Sequence, residues 1–422
     1  MIDFDRNDRN KQKLNSLAFA RGMKGVAVTP KPKAKYSLID EEISLPVAVI
    51  NKQALTNNMD WMQTFANYHG VKLCPHGKTT MTPEFFAMQK AKGAWGITVA
   101  TAPQAETAAC AGLTNIMIAN QLVGRANMAM VARIKQESQA RVIVCVDSKL
   151  NADQLNQFFS TTGSNIEVLI EYGVVGGRCG CRSRQEVIEL AKHISTLRHV
   201  SLVGIEVYEG VIHGGDEESL VRAFLTNTIA LGRELIEQEL LPSNPILTGA
   251  GSAWYDVVAE TFAHLPDFEA IIRPGCYVIH DTGIYLEAQE KVMARATKNG
   301  GYACDLGGDL SSSLEVWAYV ISRPEPTKAI VGLGKRDVAF DAGLPIPERI
   351  YRAGNEIQES DIVATDVMDQ HTFLSISAES SLQVGDMIAF STSHPCLTFD
   401  KWRLIAISDD EYFVDQWVET AF

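Results

Sequence analysis

From residue 71 onward the chain alternates short apolar runs with longer stretches of helical periodicity. The runs are VKLCPHGK (71–78), GITVAT (96–101), NIMIAN (115–120), RVIVCV (141–146), IEVLIEYG (166–173), SLVGIEVY (201–208), PILTGAG (245–251) and FEAIIRPG (268–275). Eight such units, each separated by room for a helix, predict an α/β fold built on a closed (β/α)8 barrel of the TIM type over residues 71–299. An open doubly wound sheet matches the count less well. Upstream, LPVAVINK (45–52) predicts one more strand, and ALTNNMDWMQTFANYHG an amphipathic helix ending at Gly70. The pair, within 45–70, leads into the barrel. As a ninth strand, 45–52 is expected to join another sheet. After about residue 300 the alternation stops. Runs such as SLEVWAYVIS, KAIVGLG, DMIAFST and WRLIAIS, divided by Pro, Gly and Asp, predict a C-terminal, mostly β domain over 300–422. Residues 1–44 form an N-terminal extension.

Composition narrows the partners more than the fold. Hydrophobic residues make up 46% and charged residues 21% of 422 residues, an ordinary globular balance. The formal net charge of -13 disfavours nonspecific binding to nucleic acid or anionic lipid, so a small molecule is the expected partner. The polar N-terminus MIDFDRNDRNKQKLNS has no apolar signal core and no later run approaches a membrane span, which predicts a cytoplasmic protein. Eight scattered cysteines, with Cys74, Cys145 and Cys276 in strand-like segments, predict reduced thiols.

In such a barrel the loops at the carboxyl ends of the strands converge on one mouth, so candidate chemistry is sought there. The first strand runs into Cys74-Pro-His76-Gly77-Lys78-Thr79. A Walker A reading of Gly77-Lys78-Thr79 fails because Lys72 stands where the loop needs its first glycine. Lys78 is a candidate nucleophile, and it reads equally as a solvated loop lysine. The seventh strand ends in Thr248-Gly249-Ala250-Gly251-Ser252, a small-residue turn able to cup a phosphate or simply to supply positive φ. Trp254 excludes a dinucleotide fingerprint there. The fifth and sixth strands add Arg178, Tyr208 and His213, which offer an oxyanion donor, a hydroxyl and a proton carrier, each with an ordinary packing or surface alternative. Cys179 and Cys181 lack a second half and are not read as a metal site. In the C-terminal domain, Ser393-His394-Pro395-Cys396 puts imidazole and thiol on one side of an extended segment, a donor pair suited to zinc. A buried cysteine beside a chance histidine is the alternative.

The ordered set LPVAVINKQAL, CPHGKT with TPE following, ITVATAPQAE, GGRCG, VYEG, TGAGS, RPGCY and SHPC resembles the D-serine dehydratase and D-threonine aldolase family of fold-type III pyridoxal-phosphate enzymes, whose barrel is alanine racemase-like. The resemblance spans about residues 45–422. It implies that Lys78 is the Schiff-base lysine and that Thr248, Gly249, Gly251 and Ser252 cup the cofactor phosphate. It further implies cofactor contacts from Arg178, Tyr208 and Tyr277, and metal binding by His394 and Cys396. Dehydratase-like members carry cysteine as the second metal ligand where the aldolases carry aspartate. Thiolate favours Zn2+, whereas carboxylate suits Mn2+ or magnesium. The chain departs from the family pattern at His76-Gly77, at Ala250 within the phosphate turn, around Gln370-His371-Thr372 and over its first forty residues.

The implied activity is a zinc-dependent lyase reaction in which water leaves a D-β-hydroxy amino acid, D-serine or D-threonine, giving a 2-oxo acid and ammonia. Lys78 is the expected base at Cα, and the metal assists departure of hydroxide. Three rivals stand beside it: an aldolase with His213 as base, a dehydratase of D-3-hydroxyaspartate or a D-amino-sugar acid, and a noncatalytic pyridoxal-phosphate carrier. The resemblance also implies a homodimer.

Overall fold

The computed structural model describes residues 22–28 and 33–422. Most of the N-terminal extension, residues 1–21 and 29–32, lies outside the described residues. The chain divides into two compact units. One comprises Trp61–Gly275 with Lys291–Gly307; the other comprises the segment up to Asp60, Cys276–Glu290 and Gly308–Phe422.

Strands β1 (Tyr36–Ser37) and β2 (Val47–Asn51) precede the barrel, whose strands are β3 (Lys72–Leu73), β4 (Ile97–Val99), β5 (Asn115–Gln121), β6 (Arg141–Val146), β7 (Ile166–Tyr172), β8 (Val200–Val207), β9 (Ile246–Gly249) and β10 (Glu269–Ile272). Each of the eight apolar runs therefore matches one strand, β5 and β8 overrunning theirs by one residue. They pair in parallel in the order β3-β10-β9-β8-β7-β6-β5-β4. The seam between β4 and β3 closes through Trp95 N–H donating to Leu73 O (2.7 Å), Thr98 N–H donating to Pro75 O (2.8 Å) and a bridge between His76 and Thr98. The strands read as continuous apolar runs because both faces are covered, by helices outside and by side chains inside. Cys74, Met117, Ile143, Leu169, Ile246 and Ile271 form one interior cluster. Gly204 permits the tight β8–β9 approach, since a Cβ there would stand 1.9 Å from Ile246 O.

Several of the following helices start on a capping side chain. Thr101, Ser148, Ser183 and Asp216 each accept a backbone N–H from three residues on, satisfying a donor the helix leaves orphaned. These caps fix where each loop over the carboxyl ends stops.

The second unit is built on an antiparallel-rich sheet. Its remaining strands are β11 (Leu314–Glu325), β12 (Lys328–Val331), β13 (Ile346–Arg352), β14 (Asn355–Ile357), β15 (Val363–Val367), β16 (Thr372–Ser375), β17 (Met387–Ser391), β18 (Leu404–Ser408) and β19 (Phe413–Glu419). Strand β2 lies between β11, antiparallel to it, and β18, parallel to it. Residues 47–51 thus belong to this sheet, and β1 extends it against β19. Its core gathers Tyr36, Val47, Val49, Trp317, Ala389, Ala406 and Trp417. The segment Cys276–Glu290 clusters with this unit rather than with the barrel stretch in which the sequence pattern placed it. Cys276 itself sits in a short turn, Cys276–Val278, and not in a strand. Among the described residues no helix is long and apolar enough to cross a membrane.

Candidate active site and metal centre

Charged side chains crowd the carboxyl ends of the barrel strands. Lys78 lies in the turn Gly77–Thr79 after β3, its side chain exposed, and its Nζ makes no hydrogen bond among the described residues. Nearby, burial holds the His76 imidazole neutral, well below its ordinary range, with the charges of Lys78, Arg273 and Arg178 adding to the effect. Arg273, just past β10, is buried and pairs with the equally buried Glu206 of β8, and donates to Val207 O at 3.1 Å. Burial, reinforced by the Glu206 charge, pushes the Glu171 carboxyl up to about 7 while Gln121 donates to it at 2.7 Å.

Four buried polar atoms on these strand ends have no hydrogen-bond partner among the described residues: His76 Nδ1, Glu206 Oε2, Thr248 Oγ1 and Arg273 Nε. Buried polar groups are rarely left so, and their gathering on β8, β9 and the residues after β3 and β10 suits a polar bound group. Ligand atoms of Cys145, Glu171 and Glu206 also lie within 4.8 Å of one another. Both carboxylates of that trio already hold donors, Gln121 and Arg273, and burial raises the Cys145 thiol far above its normal value. It is an ion-pair core rather than an open cation site.

The stretch Thr248–Ser252 begins in the last two residues of β9 and turns beyond it, with Ala250 at φ 76°. Its N–H groups at Ala250 and Gly251 donate to the fully buried Glu209 carboxylate, at 3.1 and 2.8 Å. Glu209, which sequence reasoning missed, therefore shapes the turn and occupies two donors expected to face a phosphate. Thr248 Oγ1 keeps its unmatched capacity. Gly249 is buried, whereas Ser252 is half-buried and already engaged within the protein.

Arg178 and Tyr208 come together, the guanidinium 4.0 Å over the tyrosine ring. Arg182 straps the preceding glycine loop by donating to Cys179 O at 2.6 Å and Gly180 O at 3.0 Å. His213 stands apart: its side chain is 76% exposed on the loop before Gly214, 3.8 Å from Glu217.

In the second unit, Tyr277 is buried in the turn after β10. His394 and Cys396 follow β17. The imidazole hydrogen-bonds the Cys396 side chain, and its Nδ1 meets Asp341 Oδ2 at 2.8 Å. The Cys396 and Asp341 contacts together outweigh burial and push His394 up to about 9. A carboxylate on one ring nitrogen and sulfur at the other side is the arrangement in which histidine commonly presents itself to zinc. Cys396 Sγ lies 3.4 Å from Cys276 Sγ. The donor set fits a borderline-soft divalent metal. The 281–286 turn is laced to the approach to His394: Thr282 Oγ1 donates to Ser391 Oγ at 2.7 Å, and Gly283 lies where a Cβ would stand 2.8 Å from Ser393 O. The i, i+2 spacing of His394 and Cys396 is visible in sequence, but the segment is not extended as expected: Pro395 is helical and Cys396 opens the short helix Cys396–Phe399. Asp341 and Cys276 are distant in the chain and carry no such mark.

The alanine racemase N-terminal domain family model matches residues 50–281, and the serine dehydratase domain model matches residues 313–408. The chain is 26% identical over 403 residues to a D-threonine aldolase of an Arthrobacter species, covering 94% of this chain and 96% of that protein. A solved D-threonine aldolase from Filomicrobium marinum superposes with a TM-score of 0.75 at 23% identity, covering 90% of this chain and 95% of that one. The D-threo-3-hydroxyaspartate dehydratase of Delftia sp. HT23 gives 0.71 at 22% identity, covering 91% and 99%. A variant of that dehydratase has been solved in a metal-free form. The structural likenesses establish the barrel and sheet architecture.

Proposed function

The chain belongs to the D-serine dehydratase and D-threonine aldolase family of fold-type III pyridoxal-phosphate enzymes, and from that premise we propose that it removes water from a D-β-hydroxy amino acid, D-serine foremost. At the coarser level it is a pyridoxal-phosphate-dependent lyase of D-β-hydroxy amino acids. The elimination yields a 2-oxo acid and ammonia, with D-threonine as a second substrate. By the same resemblance we take the working form to be a homodimer.

Bound pyridoxal phosphate supplies an aldehyde that captures amino groups and an electron sink that acidifies the Cα proton. Lys78 would carry it, and its amine, once displaced by the amino group of the incoming substrate, would take that proton. Arg178 on Tyr208, the Thr248–Ser252 turn and Tyr277 are its proposed contacts. Since Glu209 holds the N–H groups of 250 and 251, phosphate binding falls to the remaining groups of that turn, Thr248 Oγ1 among them. His394 and Cys396 would hold zinc, which would supply Lewis acidity at the hydroxyl that must leave.

The observation carrying the dehydratase reading is Cys396 beside His394, sulfur where the resemblance gives aldolases a carboxylate. One observation favours cleavage instead, the full-length similarity to a D-threonine aldolase. Its expected base, His213, is exposed to solvent. Incubation with D-threonine decides the matter. Elimination gives 2-oxobutanoate and ammonia, whereas glycine and acetaldehyde would overturn the proposal. D-3-hydroxyaspartate in the same screen tests the substrate, and dialysis against a chelator, expected to abolish ammonia release, tests the metal.

A further inference from the structure

We propose that Cys276 is a third protein ligand of the metal, so that Cys276, His394 and Cys396 form a two-sulfur, one-nitrogen set with its fourth position open. The inference rests on the metal reading above and extends it to a residue in a different segment, the turn after β10.

The geometry converges on it from several sides. Cys276 is buried, with its Sγ 3.4 Å from that of Cys396, much too far for a disulfide, whose sulfurs lie about 2.05 Å apart. Two thiolates on one tetrahedral zinc, each bond about 2.3 Å, stand about 3.8 Å apart. The observed separation reaches that span with a shift of a few tenths of an ångström.

The segments are also held in place. Gly283 packs against the Ser393 backbone, Thr282 donates to Ser391, and Asp281 Oδ1 accepts the N–H groups of Gly283, Tyr285 and Leu286 at 3.0, 2.9 and 3.2 Å. Tyr285, fixed by that carboxylate, hydrogen-bonds Cys276 and places its ring 6.3 Å from His394. Asp341 orients His394 from the other side. One thiol beside one histidine leaves a metal half held; a second thiol completes the three-ligand, one-open-site pattern of catalytic zinc. Binding releases the two thiol protons to solvent.

The test uses the purified full-length protein with zinc or cobalt as the probe. X-ray absorption on the zinc-loaded wild type should report two sulfurs and one nitrogen from protein. Cobalt loading should give a sulfur-to-metal absorption that falls to about half in Cys276→Ser, whose affinity in chelator competition drops by more than the roughly 100-fold that loss of an outer partner costs. A single sulfur on the wild-type metal, or unchanged absorption and affinity in Cys276→Ser, overturns the third ligand while leaving the metal reading intact. A wild type that binds neither metal, or that carries a Cys276–Cys396 disulfide 2 Da lighter in its place, overturns both. The wild-type absorption measurement decides even if the variant fails to fold.

Discussion

The barrel mouth buries hard charges against one another, whereas the cluster around His394 gathers soft donors that are partly open to solvent. Arg273 and Glu206 are 4% and 2% exposed; His394 and Asp341 are 19% and 38% exposed. In a buried pair of guanidinium and carboxylate, neither group can be removed without stranding the other. An imidazole and two thiols can instead trade protons for a metal ion. The first region offers fixed electrostatics, and the second a place whose charge depends on what it binds.

The largest effect expected from breaking this division is at Lys78. Lys78→Ala should lower turnover by at least about 1000-fold, the scale of losing a positioned base together with covalent capture. It should also abolish the absorbance of lysine-bound cofactor and leave the metal content of the β unit unchanged. Retained absorbance would remove Lys78 from its role. Next comes the ion pair. Arg273→Met strands Glu206 in the barrel and should cost about 3–5 kcal/mol of stability in urea unfolding. Adding Glu206→Gln should recover most of that loss. A neutral Arg273→Met would mean that solvent reaches the pair and that the mouth is less dry than its burial indicates.

The same contrast governs what the sequence revealed. The barrel was legible because its strands are long runs with a regular repeat: RVIVCV and IEVLIEY announce buried parallel strands, and the residues ending them locate the mouth. The candidate lysine, Lys78, and the small-residue turn were found from that placement. Glu209 was hidden because its role is to satisfy two backbone N–H groups forty-one and forty-two residues away, a pairing no local pattern encodes. Arg273 sat in view within IIRPG, yet its partner Glu206 is 67 residues upstream and meets it only through β9 and the barrel register. In the second unit His394 and Cys396 were readable as an i, i+2 pair, but Asp341 and Cys276 reach them by tertiary packing alone. Cys276 was misplaced in a strand because it directly follows the apolar run of β10; Pro274 and Gly275 end that run, and the cysteine lies in a turn grouped with the other unit.

The smallest effect concerns the carboxylate behind the histidine. Asp341→Asn keeps a hydrogen-bond acceptor for His394 Nδ1 but removes the negative charge that raises the ring's basicity. Partners of this kind are worth about 10–100-fold in metal affinity, so chelator competition should show a weakening within that range, with lysine-bound cofactor absorbance unchanged. The direction is informative because Asp341 is partly exposed, and water can replace some of what it provides. A weakening far beyond 100-fold would mean that Asp341 itself binds the metal and that the soft-donor description of this region is wrong. No change at all would mean that Cys396 alone orients the imidazole, and the contrast with the tightly paired barrel mouth would then be sharper still.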